Sequence, residues 1–414
     1  MKIINAGLTK LAVLMTVIFA PLAFSAQQKS EEMLAWEEFC EQLKLSGSEL
    51  LSKHPQDHEI DRAEGLIYLT QRLARSVEDV LAKDNKSFPL LRLGTTFIEK
   101  AGLDGADAKY VTADIDGSGV YRLSGKLGNA RLIAIQLTKM NPVYEAYASL
   151  SDEDMGADEN GHIDILIAEH KPDDWQGAWL PMNPQSSTLW LREYFNDWDS
   201  EHPSDLILQR VDQVPAEPSP TISSVAVTLD NVSEHFSNQI EMWISSAEFA
   251  KKNLVNRLDR GLSNDNQALE NNIYGKGWFK LLPQQALVIE LAEPDAALWS
   301  FQLADYWWQS LDYVSRTGSI NGHQAVADSD GKYRLVISHQ DPGVPNWLDP
   351  GGHPEGMIMY RYQNSTNAPE PKVTLVTIDQ LPGFLPADSA KIDAQGRVSQ
   401  VTARRQHAHR RWAP

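Results

Sequence analysis

The chain has 414 residues, 56 of them acidic against 37 basic, and a single cysteine. That length sets an expectation of two domains, and the formal charge of −19 argues against nucleic acid or an anionic membrane surface as a partner, because both would meet a like net charge. One cysteine permits no intrachain disulfide, so the fold must rest on a hydrophobic core, which a chain this long can build.

The first stretch, MKIINAGLTKLAVLMTVIFAPLAFSAQQ, reads as a secretory signal peptide. Lys2 and Lys10 give a positive start, Leu11 to Leu22 form an apolar run, and Ala23-Phe24-Ser25 fits the small-x-small rule for cleavage after Ser25. The run is short for a bilayer span of about 20 residues. With 1–25 removed, no membrane span is expected, and the protein is placed in the periplasm or outside the cell. Removal takes away Lys2 and Lys10, leaving 35 basic residues against 56 acidic ones and a charge of −21.

Residues 31–52 and 61–83 read as helices; in the second, Leu66, Leu69, Leu73, Val77 and Val80 share one face. Cys40 falls in the first and is expected in the core. From Lys109 to Leu137 short β-favouring runs are broken by Asp116-Gly117 and Gly128-Asn129, both hairpin signals. The acidic stretch DEDMGADENGHI fails as a calcium loop, with Gly156 and Ala157 at the fifth and sixth positions and Ile163 where a glutamate should close it. It reads as a solvated turn. Pro215, Pro218 and Pro220 mark an extended linker over 215–222, dividing 26–214 from 223–414. A second helical region follows, with Ile240, Trp243, Ile244 and Leu258 at helical spacing. Strands return from Ala286, and a terminal helix carries Arg397, Arg404, Arg405, Arg410 and Arg411.

The order helices, strands, linker, helices, strands suggests a duplication. Asp158, Gly161 and Pro172 match Asp328, Gly331 and Pro342 at an offset of 170. Trp179-Leu180 matches Trp347-Leu348 at 168, Arg192 matches Arg361 at 169, and LIAIQL (132–137) matches LWSFQL (298–303) at 166. Ordered matches at a nearly constant offset are a repeat signal. The expected fold is mainly β with flanking helices (α+β): two related antiparallel β-sandwich or jelly-roll units from an internal duplication.

The repeat sorts the residues of SHQDPGVPNWLDPGGHPEGMIMYRYQ (338–363). Trp347, Leu348 and Arg361 recur in the first copy, so they read as structural. Arg192 and Arg361 sit in strands apolar on both faces and need buried acceptors, with Glu193, Asp197 and Asp349 as candidates. His339, Asp341, Asn346, Asp349 and His353 belong to one copy only. Asp341, Asp349 and His353 are the acid–base candidates, with Arg361 or Arg192 holding an anion. Arg192, Asn346, Trp347, Trp307 and Trp308 are the ligand-binding candidates, since exposed aromatic and amide groups stack and bond small ligands. Against this, Asp-Pro-Gly at 341 and 349 is ordinary turn chemistry, and core packing accounts for most tryptophans. There is no Gly-x-Ser-x-Gly, no His-Glu-x-x-His and no phosphate loop, and His339 and His353 stand 14 apart with no His-x-His pair in their segment, so no metal or cofactor is expected.

The segments REYFNDWDSEHP (192–203) and SHQDPGVPNWLDPGGHPEGMIMYR (338–361) resemble the bacterial family called domain of unknown function 1214 (DUF1214). The shared pieces are an Arg-x-Tyr-x-x-Asp-Trp segment and an Asp-Pro-Gly-x-x-Asn-Trp-Leu-Asp segment ending in Gly and Arg. The resemblance implies a β-sandwich and no agreed activity. Its motif positions here are Arg192, Tyr194, Asp197, Trp198, Asp341, Asn346, Trp347, Asp349 and Arg361. The resulting expectation is an exported, soluble protein that binds a small saccharide or apolar ligand at the sandwich loops. The alternative is a hydrolase or lyase using the 338–361 loop. A homo-oligomer through the basic terminal helix is a further expectation.

Overall fold

A computed structural model describes residues 29–83, 88–139, 144–213, 218–260, 262–263 and 271–412. The segment 1–25, read above as a signal peptide, lies outside them. Helices α1 (Glu31–Lys53) and α2 (Glu59–Lys83) come first. The first β unit then runs through β1 (Arg92–Leu93), β2 (Ala108–Asp114), β3 (Tyr121–Lys126), β4 (Leu132–Lys139), β5 (Glu145–Ser151), β6 (His162–Ala168), β7 (Ala178–Pro181), β8 (Thr188–Tyr194) and β9 (Asp205–Arg210). They form a five-stranded sheet, β1-β2-β8-β4-β5, and a four-stranded sheet, β7-β6-β3-β9.

Side-chain alternation explains the sandwich. Along β8, Leu189 and Leu191 point into a core shared with Ile135, Ile165 and Leu123, while Trp190, Arg192 and Tyr194 take the opposite face. Asp116-Gly117 and Gly128-Asn129 do not make hairpins as expected. Both carry the chain from one sheet to the other, because β2 and β4 belong to the five-stranded sheet and β3 to the four-stranded one. Period-two patterning fixes which face is buried, not which strand is the neighbour.

Helices α3 (Ile222–Ile240) and α4 (Ile244–Asn253) follow. Thr221 and Ser224 close a capping box at the start of α3. The second unit is β10 (Leu262–Ser263), β11 (Ile273–Lys280), β12 (Gln285–Ala292), β13 (Asp295–Ala304), β14 (Ser319–Asn321), β15 (Lys332–Ser338), β16 (Trp347–Leu348), β17 (Glu355–Asn367) and β18 (Lys372–Thr377). Its sheets are β10-β11-β17-β13-β14 and β16-β15-β12-β18, the first unit's orders shifted by nine strands. The correspondence reaches single residues. The parallel pair Leu166 opposite Trp179 in the first unit becomes Val336 opposite Trp347 in the second, and the other strand pairs are antiparallel. The structure is mainly β, and the duplicated units are real.

All four helices α1–α4 join one layer over the outer face of the second five-stranded sheet. Leu50, Tyr68, Phe236, Ile240 and Ile244 meet Trp278, Trp307, Trp308 and Met357 there. The expected face of α2 holds in part: Val80 is buried and Leu69, Leu73 and Val77 pack against the helical cores, but Leu66 is 58% exposed. The helix also buries Asp61, Gly65, Tyr68, Arg72 and Ser76 against polar loops and an indole. Cys40, expected in the core, is exposed beside the buried Phe39. Leu258 lies beyond α4, bridging Gly277.

The two five-stranded sheets also approach one another. Leu132 and the equivalent Leu298 share one apolar cluster with Tyr194 and Ala108. A last helix, α5 (Ala394–Trp412), spans both units: Arg397 donates to the Val344 carbonyl at 2.7 Å, and His407 to the Trp198 carbonyl at 2.6 Å. Arg397, Arg404 and Arg411 are buried in the chain's own interior. Much of the basic face expected to dock a second copy is therefore turned inward.

Candidate functional site

Each polar residue of the 338–361 segment finds its own partner. Asp341 accepts from the Gly343 N–H at 2.9 Å, and both its oxygens accept from Arg397, Nε and Nη2 each at 2.9 Å. Burial would raise its carboxyl, but the Arg397 contact holds it below the usual range. Asp349 accepts from the Gly351 N–H and from Arg316 Nη1, each at 2.8 Å. Gly343 and Gly351 have φ of +70° and +63°, which an Asp-Pro-Gly turn requires of its third residue. Asn346 ties down Val326 through both its amide atoms at 2.8 Å. Trp347 donates to the Ser338 carbonyl at 2.9 Å with the Arg397 guanidinium 5.0 Å over its ring.

His353 behaves differently. It is 4% exposed, its Nδ1 donates to the Pro350 carbonyl at 2.9 Å, and its Nε2 lies 2.8 Å from Glu64 Oε2 on α2. Burial alone would lower its pKa; the Glu64 contact, with help from Pro350 and Asp61, raises it above the ordinary value. Asp341, Asp349, His353 and Arg361 share no hydrogen bond or ion pair with one another among the described residues.

The two arginines resolve as a pair. Arg192 Nη1 donates to Gln136 Oε1 at 2.5 Å, and Arg361 Nη1 to Gln302 Oε1 at 3.1 Å. Gln136 and Gln302 are equivalent residues, and so are Tyr110 and Tyr274, which lie opposite Arg192 and Arg361 in register. The acceptors are therefore neutral amides on the next strand rather than Glu193, Asp197 or Asp349. Arg361 also crosses to the first unit, donating to the Leu103 carbonyl at 2.7 Å. Trp307 and Trp308 lie inside the helical layer: Trp307 stacks on Tyr68 at 5.7 Å and donates to the Asp61 carbonyl at 2.7 Å.

One cleft, of about 470 Å³, opens between α5 and the 312–317 and 347–349 segments. Arg316, Thr317, Trp347, Asp349, Arg397 and Arg405 line it. Thr317 is 1% exposed, and its hydroxyl has no hydrogen-bond partner. Arg405 is exposed and engages no carboxylate among the described residues. Trp347 and Asp349 were legible as candidates; Thr317 and Arg405 were not, because they come from a loop and a helix that only the tertiary fold brings together. The same holds for Asp61 and Glu64. Their i, i+3 spacing on α2 carries no signal until His353, 289 positions from Glu64, is packed against them.

Residues 111–196 and 281–366 each match the family described as protein of unknown function (DUF1214). A crystal structure of an uncharacterised protein from Burkholderia cenocepacia is similar, with 25% sequence identity, a TM-score of 0.76, and coverage of 83% of this chain and 97% of that one. The VPA0106 protein from Vibrio parahaemolyticus is 13% identical at a TM-score of 0.43, over 75% of this chain and 98% of that one. No curated protein matches. The first match runs from within β2 to just past β8 and the second from just after β11 into β17, so each β unit carries one segment similar to the DUF1214 family.

Proposed function

We propose that the protein is an exported binding protein, and that its ligand is a small, hydroxylated, anionic molecule of the uronic-acid type. The observation that carries the reading is the cleft of about 470 Å³, within the size range of small-ligand sites. Thr317 brings to it a hydroxyl lacking a partner, and Arg405 a guanidinium lacking a carboxylate. Arg316 and Asp349 offer further polar atoms, and Trp347 an indole already crossed by Arg397. An anion with several hydroxyls would use each of these. Export rests on the 1–25 segment and is tested by sequencing the N-terminus of the periplasmic fraction, where Ala26 is expected first.

The binding test is a thermal-shift panel of neutral and acidic saccharides on the mature chain, followed by calorimetric titration of any hit. Acidic sugars are expected to raise the melting temperature, and Arg405→Ala to remove the effect. A flat response across the panel, or one that Arg405→Ala leaves intact, counts against the reading. A second reading, a hydrolase or lyase, draws on His353, whose Nδ1–H is fixed by the Pro350 carbonyl while Nε2 faces Glu64. Turnover lost in His353→Gln would carry it.

A further inference from the structure

His353, Asp61 and Glu64 form a group that the cleft does not use. One ligand atom from each lies within 4.8 Å of the other two. Asp61 and Glu64 stand three residues apart on α2, which puts both carboxylates on one helix face. His353 arrives from the turn before β17.

Three further features bear on what this group does. The Nδ1–H of His353 is committed to the Pro350 carbonyl, so the ring presents Nε2 to the two carboxylates. That orientation, one ring nitrogen anchored on a backbone carbonyl and the other turned inward, is how metal-ligating histidines are held. Second, Asp61 is 3% exposed, yet its carboxylate receives no hydrogen bond or ion pair among the described residues. A His353–Glu64 ion pair would satisfy Glu64 and leave the Asp61 carboxylate, on a residue 3% exposed, without a protein donor. Third, the positive charges that reach Asp61 from outside, Lys251 and His58, sit against Glu355 at 2.8 and 4.0 Å.

We propose that Asp61, Glu64 and His353 bind one divalent transition-metal ion of the manganese-to-zinc series, fastening α2 to the second β unit. Such ions take imidazole nitrogen and carboxylate oxygen together, at about 2.0–2.2 Å for zinc. Magnesium and calcium favour all-oxygen shells. Three protein ligands leave positions for water, and Glu64, whose side chain is 24% exposed, opens the group to solvent. The inference does not depend on the cleft.

The test uses the mature chain stripped of metal with dipicolinate. Zn²⁺, Mn²⁺, Mg²⁺ and Ca²⁺ are titrated separately by calorimetry into wild type, Asp61→Asn, Glu64→Gln and, as a control for exposed histidines, His162→Gln. One equivalent of Zn²⁺ or Mn²⁺ is expected to bind wild type and His162→Gln alike and to raise their melting temperatures. Asp61→Asn and Glu64→Gln are each expected to weaken binding roughly tenfold or more. The metal-free Asp61→Asn protein should unfold no earlier than metal-free wild type, because it removes a buried charge that lacks a partner. If that variant does not fold, Glu64→Gln decides alone. No saturable binding, binding indifferent to both substitutions, or a preference for Mg²⁺ or Ca²⁺ overturns the proposal.

Discussion

His407 lies face to face with Trp198, ring centroids 4.7 Å apart, and donates from Nδ1 to the carbonyl of that same tryptophan at 2.6 Å. Its Nε2 is buried without a partner. Burial, reinforced by the neighbouring Arg411 guanidinium, pulls its pKa down to about 3. The unfolded chain takes up a proton below pH 6.5 and the folded one does not, so stability is complete above the unfolded value and falls as pH drops from 6.5 toward 3. The slope is about 1.4 kcal/mol per pH unit for this one group. His407→Asn keeps an N–H donor and removes the titration. Urea midpoints at pH 7 and pH 4.5 should differ less in the variant than in wild type; an unchanged difference would show that His407 does not carry the acid sensitivity.

Arg361 and Arg192 occupy equivalent places but do unequal work. Arg361 is bonded to the Leu103 carbonyl in the other unit, whereas Gln136 keeps the Tyr144 hydroxyl as a donor, at 2.8 Å, once Arg192 is gone. Arg361→Met is expected to cost about 1–3 kcal/mol through the orphaned carbonyl, and Arg192→Met less. Urea unfolding of the two variants side by side makes the comparison, and equal losses would contradict it.

Alanine is normally the better helix residue, yet Gly65→Ala in α2 should destabilise. Its added carbon would fall 2.6 Å from Cζ2 of the buried Trp307. The expected cost of this overpacking is about 1–3 kcal/mol, set against a gain of about 1 kcal/mol in helix propensity. A lower denaturation midpoint with unchanged m-value is the predicted result. A raised midpoint would mean that Trp307 moves aside freely.

Thr317→Val separates stability from binding. The hydroxyl has no partner, so its removal should leave the melting temperature unchanged or raise it by the equivalent of about 1 kcal/mol. Affinity for a cleft ligand should fall. A loss of stability would show that the hydroxyl is bonded in solution, by water or by ligand carried through purification.

The duplication was legible because strand alternation and turn residues repeat at offsets of 166 to 170, and those offsets are the ones the β-ladders realise. The burial of Arg361 and the partial burial of Arg192 were legible too, from strands apolar on both faces. Their acceptors were not, because Gln136 and Gln302 are reached across a ladder, and sequence distance does not encode which strand lies alongside. The face of α2 was legible in part: Leu69, Leu73, Val77 and Val80 pack on the core as their spacing implies, but the helix also buries Asp61, Gly65 and Arg72 against loops and an indole, and hydrophobic periodicity registers none of these. Of the 338–361 residues, the aspartates proved to be turn formers that also hold arginines. His353, the residue least explained as structure, is the one that meets a distant helix.

Equivalent residues meet where the units touch: Leu132 shares a cluster with Leu298, and Tyr274 lies close enough to Tyr110 to add to the upward push on the Tyr110 hydroxyl. That is the signature of a two-fold axis, on which a surface is complementary to itself. The chain is in effect a homodimer written as one polypeptide. The face that each unit's arginine-bearing strand would otherwise leave open is covered by the other unit, so neither unit's surface is complete alone.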